Sequence, residues 1–102
     1  MQCRLPAVML VSLLLNPLRR ILRKQAAKGS QLAQQWCASC HVTSSSRAGD
    51  VQEGPPSFPT IARTRTADQL RAFLSHPHGA MPDLSLTRAE IDDLVGYIET
   101  LR

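Results

Sequence analysis

The stretch Cys37-Ala38-Ser39-Cys40-His41 sets two thiols three positions apart and follows the second directly with an imidazole. This C-x-x-C-H spacing is the pattern of a c-type haem attachment site. On a helix, where each residue turns the chain by about 100°, the two thiols and the imidazole would face a single flat ligand. The pattern predicts that both cysteines hold haem as thioethers and that His41 binds its iron as the proximal ligand.

Two other uses of a C-x-x-C pair are weaker here. A four-ligand zinc site needs a second pair of ligands, and the only other cysteine, Cys3, lies far from the motif in an apolar stretch. A thioredoxin-like redox pair follows a strand in a βαβ unit, and no alternating β-branched strand precedes Trp36. The chain therefore favours haem over zinc or a redox disulfide.

The chain has 102 residues, enough for one domain, and its formal charge of +4 is unevenly distributed. Half of the basic residues lie in residues 1–29, which hold no acidic residue: Arg4, Arg19, Arg20, Arg23, Lys24 and Lys28. Residues 30–102 carry the remaining charges and sum to about −2. Because the basic charge sits in one terminal arm without interleaved aromatic residues, the sequence indicates no nucleic-acid partner.

Residues 1–28 form a signal-like or anchor segment. The apolar run from 5 to 18 is shorter than the roughly 20 residues of a membrane span and resembles the core of a signal peptide. The basic residues directly after it oppose translocation in the expected orientation. Three alternatives stay open: a cleaved export signal, a retained anchor, and an extended or misassigned start. Membrane contact is expected only through residues 5–18.

Helical periodicity and capping signals predict three main helices in residues 29–102. The first runs from about Gly29 into the motif and buries an apolar stripe that includes Trp36. Capping boxes open the other two, with Thr66 or Thr87 as the N-cap. The second ends within residues 76–79, and the last presents one apolar face: Ile91, Leu94, Val95, Ile98 and Leu101. Residues 43–50 are predicted to form a surface loop.

The segment Gly54-Pro55-Pro56-Ser57-Phe58-Pro59 predicts rigid extended backbone leading into a short turn. One of its carbonyl groups can accept the Nδ1 proton of the proximal histidine, which fixes the ring and raises its basicity. The alternative is that the segment is only a stiff connector.

Three side chains near the end of the second helix are candidates for the distal iron ligand: His76, His78 and Met81. Met81 is favoured because a full helix separates it from His41, so the chain can cross to the other haem face. Its thioether is soft and neutral, which stabilises ferrous iron and raises the reduction potential. An open distal position is the alternative.

With these motifs in place, residues 29–102 resemble the small monohaem class I cytochromes c of bacteria. The resemblance implies an all-α cytochrome c-like fold with three to five short helices around one covalently attached haem. By that likeness Cys37 and Cys40 hold the haem, His41 is proximal, Met81 is distal, and Pro56 (or Pro55) offers the carbonyl.

The resemblance also assigns helix contacts. Gly29 matches the family's small residue where the first and last helices cross, and Leu94 and Tyr97 match its contact residues on the last helix. One departure is Ala33, which stands where the family usually has phenylalanine; Trp36 is expected to fill that space.

The function implied is a monomeric single-electron carrier, located in the periplasm and serving redox partner proteins. No Ser/His/Asp set, carboxylate pair or phosphate loop indicates an enzyme, and six-coordinate iron leaves no position for a substrate. The alternatives are a haem c subunit of a larger dehydrogenase or oxidase, and an open-site haem protein that binds gas or acts as a peroxidase.

Overall fold

The computed structural model describes residues 7–45, 54–77 and 79–102, with side chains from residue 16 onwards. Within these ranges the chain forms helices and no strands. The four helices are α1 (Ala7–Trp36), α2 (Phe58–Thr64), α3 (Ala67–Ser75) and α4 (Arg88–Glu99). The predicted all-α fold is confirmed.

Helix α1 is much longer than predicted. It spans 30 residues and begins at Ala7, so the prediction that it starts near Gly29 is wrong. Residues 18–28 are Leu, Arg, Ile, Lys, Gln and Ala, mostly strong helix formers with no glycine or proline among them, so nothing local stops the helix there. The helix passes the boundary between residues 28 and 29 without a break. The division into a terminal segment and a haem domain stays a prediction.

The other helices begin at side-chain caps. In α3 and α4 both predicted capping boxes form: the hydroxyl of Thr66 accepts from the Gln69 amide at 3.1 Å, and that of Thr87 accepts from the Glu90 amide at 3.1 Å. Helix α2, which was expected to be only a short turn, begins after the N-cap Ser57. Each cap satisfies an amide that the first helical turn would leave unpaired.

The core forms where α1 crosses α4. The main contribution of α4 is its predicted apolar face, with Ile91, Leu94, Val95 and Ile98 buried and Leu101 packed against them. Ala33 of α1 and Cys37, the residue directly after α1, are buried in the same cluster. Helices α2 and α3 cover the cluster with four buried residues: Phe58, Ala62, Leu70 and Leu74.

The crossing is closest at Gly29. A Cβ atom placed there would lie 1.9 Å from the carbonyl oxygen of Asp93 and 2.7 Å from the Cβ of Tyr97. The backbone of α4 therefore occupies the space that a side chain on Gly29 would need. The expectation that Gly29 marks the crossing of the first and last helices is confirmed.

Trp36 does not lie in the core, and the prediction that it does is wrong: 57% of its surface is exposed, whereas Ala33 is fully buried. Contacts run in opposite directions along the two helices, from Gln25 beside Gly96 to Gly29 beside Asp93. Trp36 comes seven residues after Gly29, about 10 Å along α1, and α4 begins only about 7.5 Å before Asp93. The indole thus lies beyond the start of α4.

Across the described parts of the chain, none of the helices combines the length and the apolar character needed to cross a membrane.

Gly29→Ala should destabilise the protein severely, because the new methyl group meets the backbone of α4 and one of the helices must move. Overpacking of this kind costs roughly 1–3 kcal/mol, and contact with backbone atoms places the variant at or above the top of that range. The measurement is denaturant-induced unfolding of the haem-loaded protein.

Gly96→Ala is the matched control at the same interface. There the added Cβ lies 3.3 Å from side-chain atoms of Gln25, which can rotate away, and alanine is a better helix former by about 1 kcal/mol. Its midpoint should equal or exceed that of the wild type. Equal midpoints for Gly29→Ala and wild type would contradict the close-packed crossing.

Candidate functional site

The C-x-x-C-H motif forms turns directly after α1 instead of continuing the helix, so the expectation that it lies on the helix is wrong. The backbone widens into one π-type turn at this point, because the amide of Ala38 donates to the carbonyl of Ala33 at 3.0 Å, one residue beyond normal helical spacing. The carbonyl of Cys37 then accepts from the amides of Cys40 and His41 at 3.1 and 2.9 Å. One carbonyl therefore holds the second thiol and the imidazole near the first thiol.

The two thiols have different surroundings. Cys37 is 6% exposed and belongs to the core cluster, whereas Cys40 is exposed. Burial raises the pKa of the Cys37 thiol above its ordinary value, because the thiolate would lose hydration, so Cys37 is protonated at neutral pH. The motif thus presents one thiol from the core and one from the surface.

The His41 ring is held by the proline segment. Its Nδ1 lies 2.7 Å from the carbonyl oxygen of Pro56, an atom that can only accept a hydrogen bond. Nδ1 therefore carries the proton, and Nε2 keeps its lone pair available for a metal. The Phe58 ring lies beside the imidazole with centroids 5.7 Å apart. The sequence left the choice between Pro55 and Pro56 open, and in the structure the bond goes to Pro56.

The backbone that follows His41 is attached to two helices. The carbonyl of Val42 accepts from the amide of Phe58 at 2.9 Å, at the start of α2. The Tyr97 hydroxyl on α4 donates to the carbonyl of Thr43. The family resemblance assigned Tyr97 only to the helix crossing. No local sequence pattern predicts this hydrogen bond, because its two residues lie so far apart in the chain.

The distal candidates lie after α3. Met81 is half-buried and packs against the core cluster, two residues after Gly79, whose φ of +77° suits glycine. His76 is the exposed C-cap of α3. His78 lies outside the described residues, as do Cys3 and residues 46–50 of the predicted loop. The structure brings together Cys37, Cys40, His41 and Pro56; the pairing of Met81 with His41 stays a prediction.

These donors fit haem better than a bare ion. They comprise two free thiols, an imidazole whose Nδ1 is hydrogen-bonded to a carbonyl so that Nε2 is left for a metal, and a thioether at the edge of the core. In the described ranges no group of three or more His, Cys, Asp or Glu side chains gathers to hold a metal ion. The donor set is the one that c-type haem takes up in proteins.

Comparisons with known proteins agree with this chemistry. The sequence model of the family described as "Cytochrome C oxidase, cbb3-type, subunit III" matches residues 24–98. A relative named cytochrome c-552, from Bradyrhizobium diazoefficiens, is 36% identical over 107 residues, which cover 100% of this chain and 99% of the relative. No solved structure matches the chain significantly.

The chain therefore belongs to the cytochrome c family, as a small class I c-type cytochrome. Membership in this family means that the protein carries covalently attached haem c, for which Cys37 and Cys40 are the two neighbouring cysteines. It is an electron-carrier haem protein that serves redox partner proteins. The predicted family and cofactor are confirmed.

Tyr97→Phe tests the attachment of the backbone after His41 to α4. The variant keeps the ring that packs beside Phe58 and the Cβ that lies against Gly29, but it loses the hydroxyl that donates to Thr43. A hydrogen bond of this kind contributes about 1 kcal/mol, and slightly more when the abandoned carbonyl is partly buried. We expect a loss of that size in the free energy of unfolding.

Thr100→Val is the control for Tyr97→Phe. It removes an exposed hydroxyl bond at the end of the same helix, where Thr100 donates to the Tyr97 carbonyl. Water can replace this bond, so the loss should be clearly smaller. If Tyr97→Phe is no less stable than Thr100→Val, the bond to Thr43 does not hold the segment.

Proposed function

We propose that this cytochrome transfers single electrons with His41 and Met81 as axial ligands of a haem held by Cys37 and Cys40. The observation that carries the proposal is the 2.7 Å hydrogen bond from His41 Nδ1 to the Pro56 carbonyl, directly beside the two thiols. The haem iron supplies the chemistry, since it gains and loses one electron between its ferric and ferrous states.

The Pro56 carbonyl sets the ligand strength of His41. By accepting a hydrogen bond from Nδ1 it fixes the tautomer and the ring plane, and it makes Nε2 a better electron-pair donor to a metal. Since Pro56 lies in a proline-rich segment with restricted backbone angles, its carbonyl direction is fixed before the imidazole engages. The ring should move little between oxidation states, which favours rapid electron transfer.

Met81 is proposed to complete the coordination. Its neutral sulfur favours the reduced state more than a second imidazole would, and so it raises the reduction potential. With both axial positions taken by side chains, no position remains for a substrate, so the protein is proposed to act as a carrier and not as an enzyme.

Met81→Ala should open the distal position. The wild-type protein should show the sulfur-to-iron charge-transfer absorption band and should not bind carbon monoxide. The variant should lose the band, bind the gas and fall in reduction potential. His76→Ala is the control, because it removes an exposed histidine of the same segment and should leave all three properties unchanged.

Ready binding of carbon monoxide by the wild type would favour the open-site class. A charge-transfer band that survives Met81→Ala would exclude Met81 and assign the ligand to another sulfur, whereas a wild type that shows neither the band nor carbon monoxide binding would favour a histidine of the segment as the ligand.

Covalent attachment through both cysteines is tested on protein produced in a host with cytochrome c maturation machinery. Acidic acetone should extract no haem from the wild type, because two thioether bonds hold it. Cys37→Ala and Cys40→Ala should each leave one bond, and the double variant should release all its haem. Release of haem from the wild type would contradict the assignment of these cysteines.

We further propose that the chain acts in the periplasm as a monomer. The support is chemical: thioether formation needs both thiols reduced, and the known attachment machinery works on the outer side of the inner membrane. Residues 1–28 would then serve as a cleaved signal or as a retained anchor. The redox partner should dock briefly over a small surface.

A second candidate is a subunit of a larger oxidase, which the name of the matching family favours. Against it stands the cytochrome c-552, a relative that this chain matches over 99% of its length and whose name specifies no oxidase. Purification under mild conditions decides between the two, because a subunit should elute with its complex and a free carrier alone.

A further inference from the structure

The N-terminal part of α1 carries an exposed apolar face. Leu18 is 56% exposed, and Ile21 and Leu22 are each 61% exposed. At 100° per residue these three positions fall within an arc of about 100°. Gly29 falls within the same arc, so the face continues the one that packs on α4. Three large apolar side chains side by side on one helix are more than the scattered exposure normal for a surface.

The opposite face of this part of α1 is basic. Residues 18–28 contain five exposed cations: Arg19, Arg20, Arg23, Lys24 and Lys28. They occupy an arc of about 180° on the other side of the helix. No acidic residue precedes Asp50 in the chain, so these cations have no acidic partner nearby in sequence. We refer to residues 18–28 as the amphipathic segment.

The described part of the chain offers nothing to cover the apolar face. The contacts of α1 with α4 reach Gln25, beside Gly96, and α4 ends at Glu99. Helix α1 is about 45 Å long and α4 only about 18 Å, so α1 continues past its partner. The exposed leucines and isoleucine lie on that continuation. Anything that covers them must therefore come from outside the described residues.

We propose that the amphipathic segment binds the surface of an anionic phospholipid membrane, lying parallel to it. A large basic face beside a narrow apolar face is the pattern of helices that lie in the membrane interface. The apolar side chains would enter the boundary between headgroups and acyl chains, and the guanidinium groups would pair with lipid phosphates. The inference goes beyond the proposed electron transfer and requires that residues 18–28 are retained in the mature protein.

An acidic protein surface explains the observations less well. It would account for the five cations, but it would leave Leu18, Ile21 and Leu22 in water or against charged groups. A membrane interface satisfies both faces of one helix at once. A spanning helix is also unsuitable, because the cations of the amphipathic segment would enter the hydrocarbon.

The test is cosedimentation of the full-length haem protein with vesicles of phosphatidylcholine, with or without phosphatidylglycerol. Binding should require phosphatidylglycerol and should weaken as salt is added. Each basic residue near an anionic surface strengthens binding about fivefold, so Arg19→Gln with Arg20→Gln and Arg23→Gln should weaken it roughly a hundredfold.

Two further variants separate the apolar and electrostatic contributions. Leu18→Gln with Ile21→Gln and Leu22→Gln keeps every charge and should weaken binding at least about tenfold, since three apolar side chains no longer enter the interface. Exposed arginines elsewhere provide the matched control, with the same change in net charge: Arg63→Gln, Arg65→Gln and Arg88→Gln. The control should change binding by less than about threefold, because those charges lie off the contacting face.

Several results would overturn the proposal. Failure of the wild-type protein to bind anionic vesicles at all would exclude the membrane surface. Equal losses of vesicle binding in the control variant and in the α1 arginine variant would show that the position of the charges does not matter. An intact mass showing that the mature protein begins after Lys28 would remove the amphipathic segment altogether. Binding to immobilised polyglutamate but not to vesicles would assign the amphipathic segment to an acidic protein. None of these results alters the haem absorption spectrum, so the membrane inference can fail while the electron-carrier proposal stands.

Discussion

The close approach of α1 and α4 at Gly29 is the constraint on which the rest of the structure depends. Because no side chain separates the two backbones there, the apolar face of α4 reaches the last turns of α1 and buries Ala33 and Cys37. The first thiol of the motif is thereby placed in the core. The small helices α2 and α3 contribute few buried residues, and they cover a core that these two helices have already defined.

Tyr97 connects the same helix crossing to the backbone of the site. The Cβ of Tyr97 lies against Gly29, and its hydroxyl donates to the carbonyl of Thr43, two residues after His41. The amide of Phe58 donates to the Val42 carbonyl, and the Pro56 carbonyl accepts a hydrogen bond from Nδ1 of the His41 ring. Helix packing, backbone path and ring orientation therefore form one connected set of contacts. A shift of α4 would move the His41 ring.

Local sequence patterns correctly predicted the features that depend only on interactions between neighbouring residues. The capping boxes at Thr66 and Thr87 and the apolar face of α4 are short-range patterns, and the structure contains them. The motif itself identified the cofactor class because its chemistry needs those residue types at that spacing.

The predictions that were wrong concern features that depend on contacts between distant parts of the chain. Trp36 was placed in the core by its helical position, but α4 begins too late to cover it. The start of α1 was misjudged because apolar and basic patterns indicated a leader, whereas helix propensity alone continues the helix through residue 28. The turn that breaks the motif away from α1 and the bond from Tyr97 to Thr43 depend on tertiary contacts that no local pattern contains.

The hydrogen bonds that position His41 have main-chain oxygens as acceptors. Their donors are the His41 imidazole, the amides of Cys40 and His41, and the Tyr97 hydroxyl. A carbonyl oxygen stays in place whatever side chain its residue carries. Point substitutions at Pro56 or Thr43 can therefore change backbone stiffness or local packing without deleting the acceptor. The geometry around the His41 ring is protected against much of the sequence drift that would erode a site built from side-chain acceptors. Related chains can vary widely at these positions and still orient the same ring.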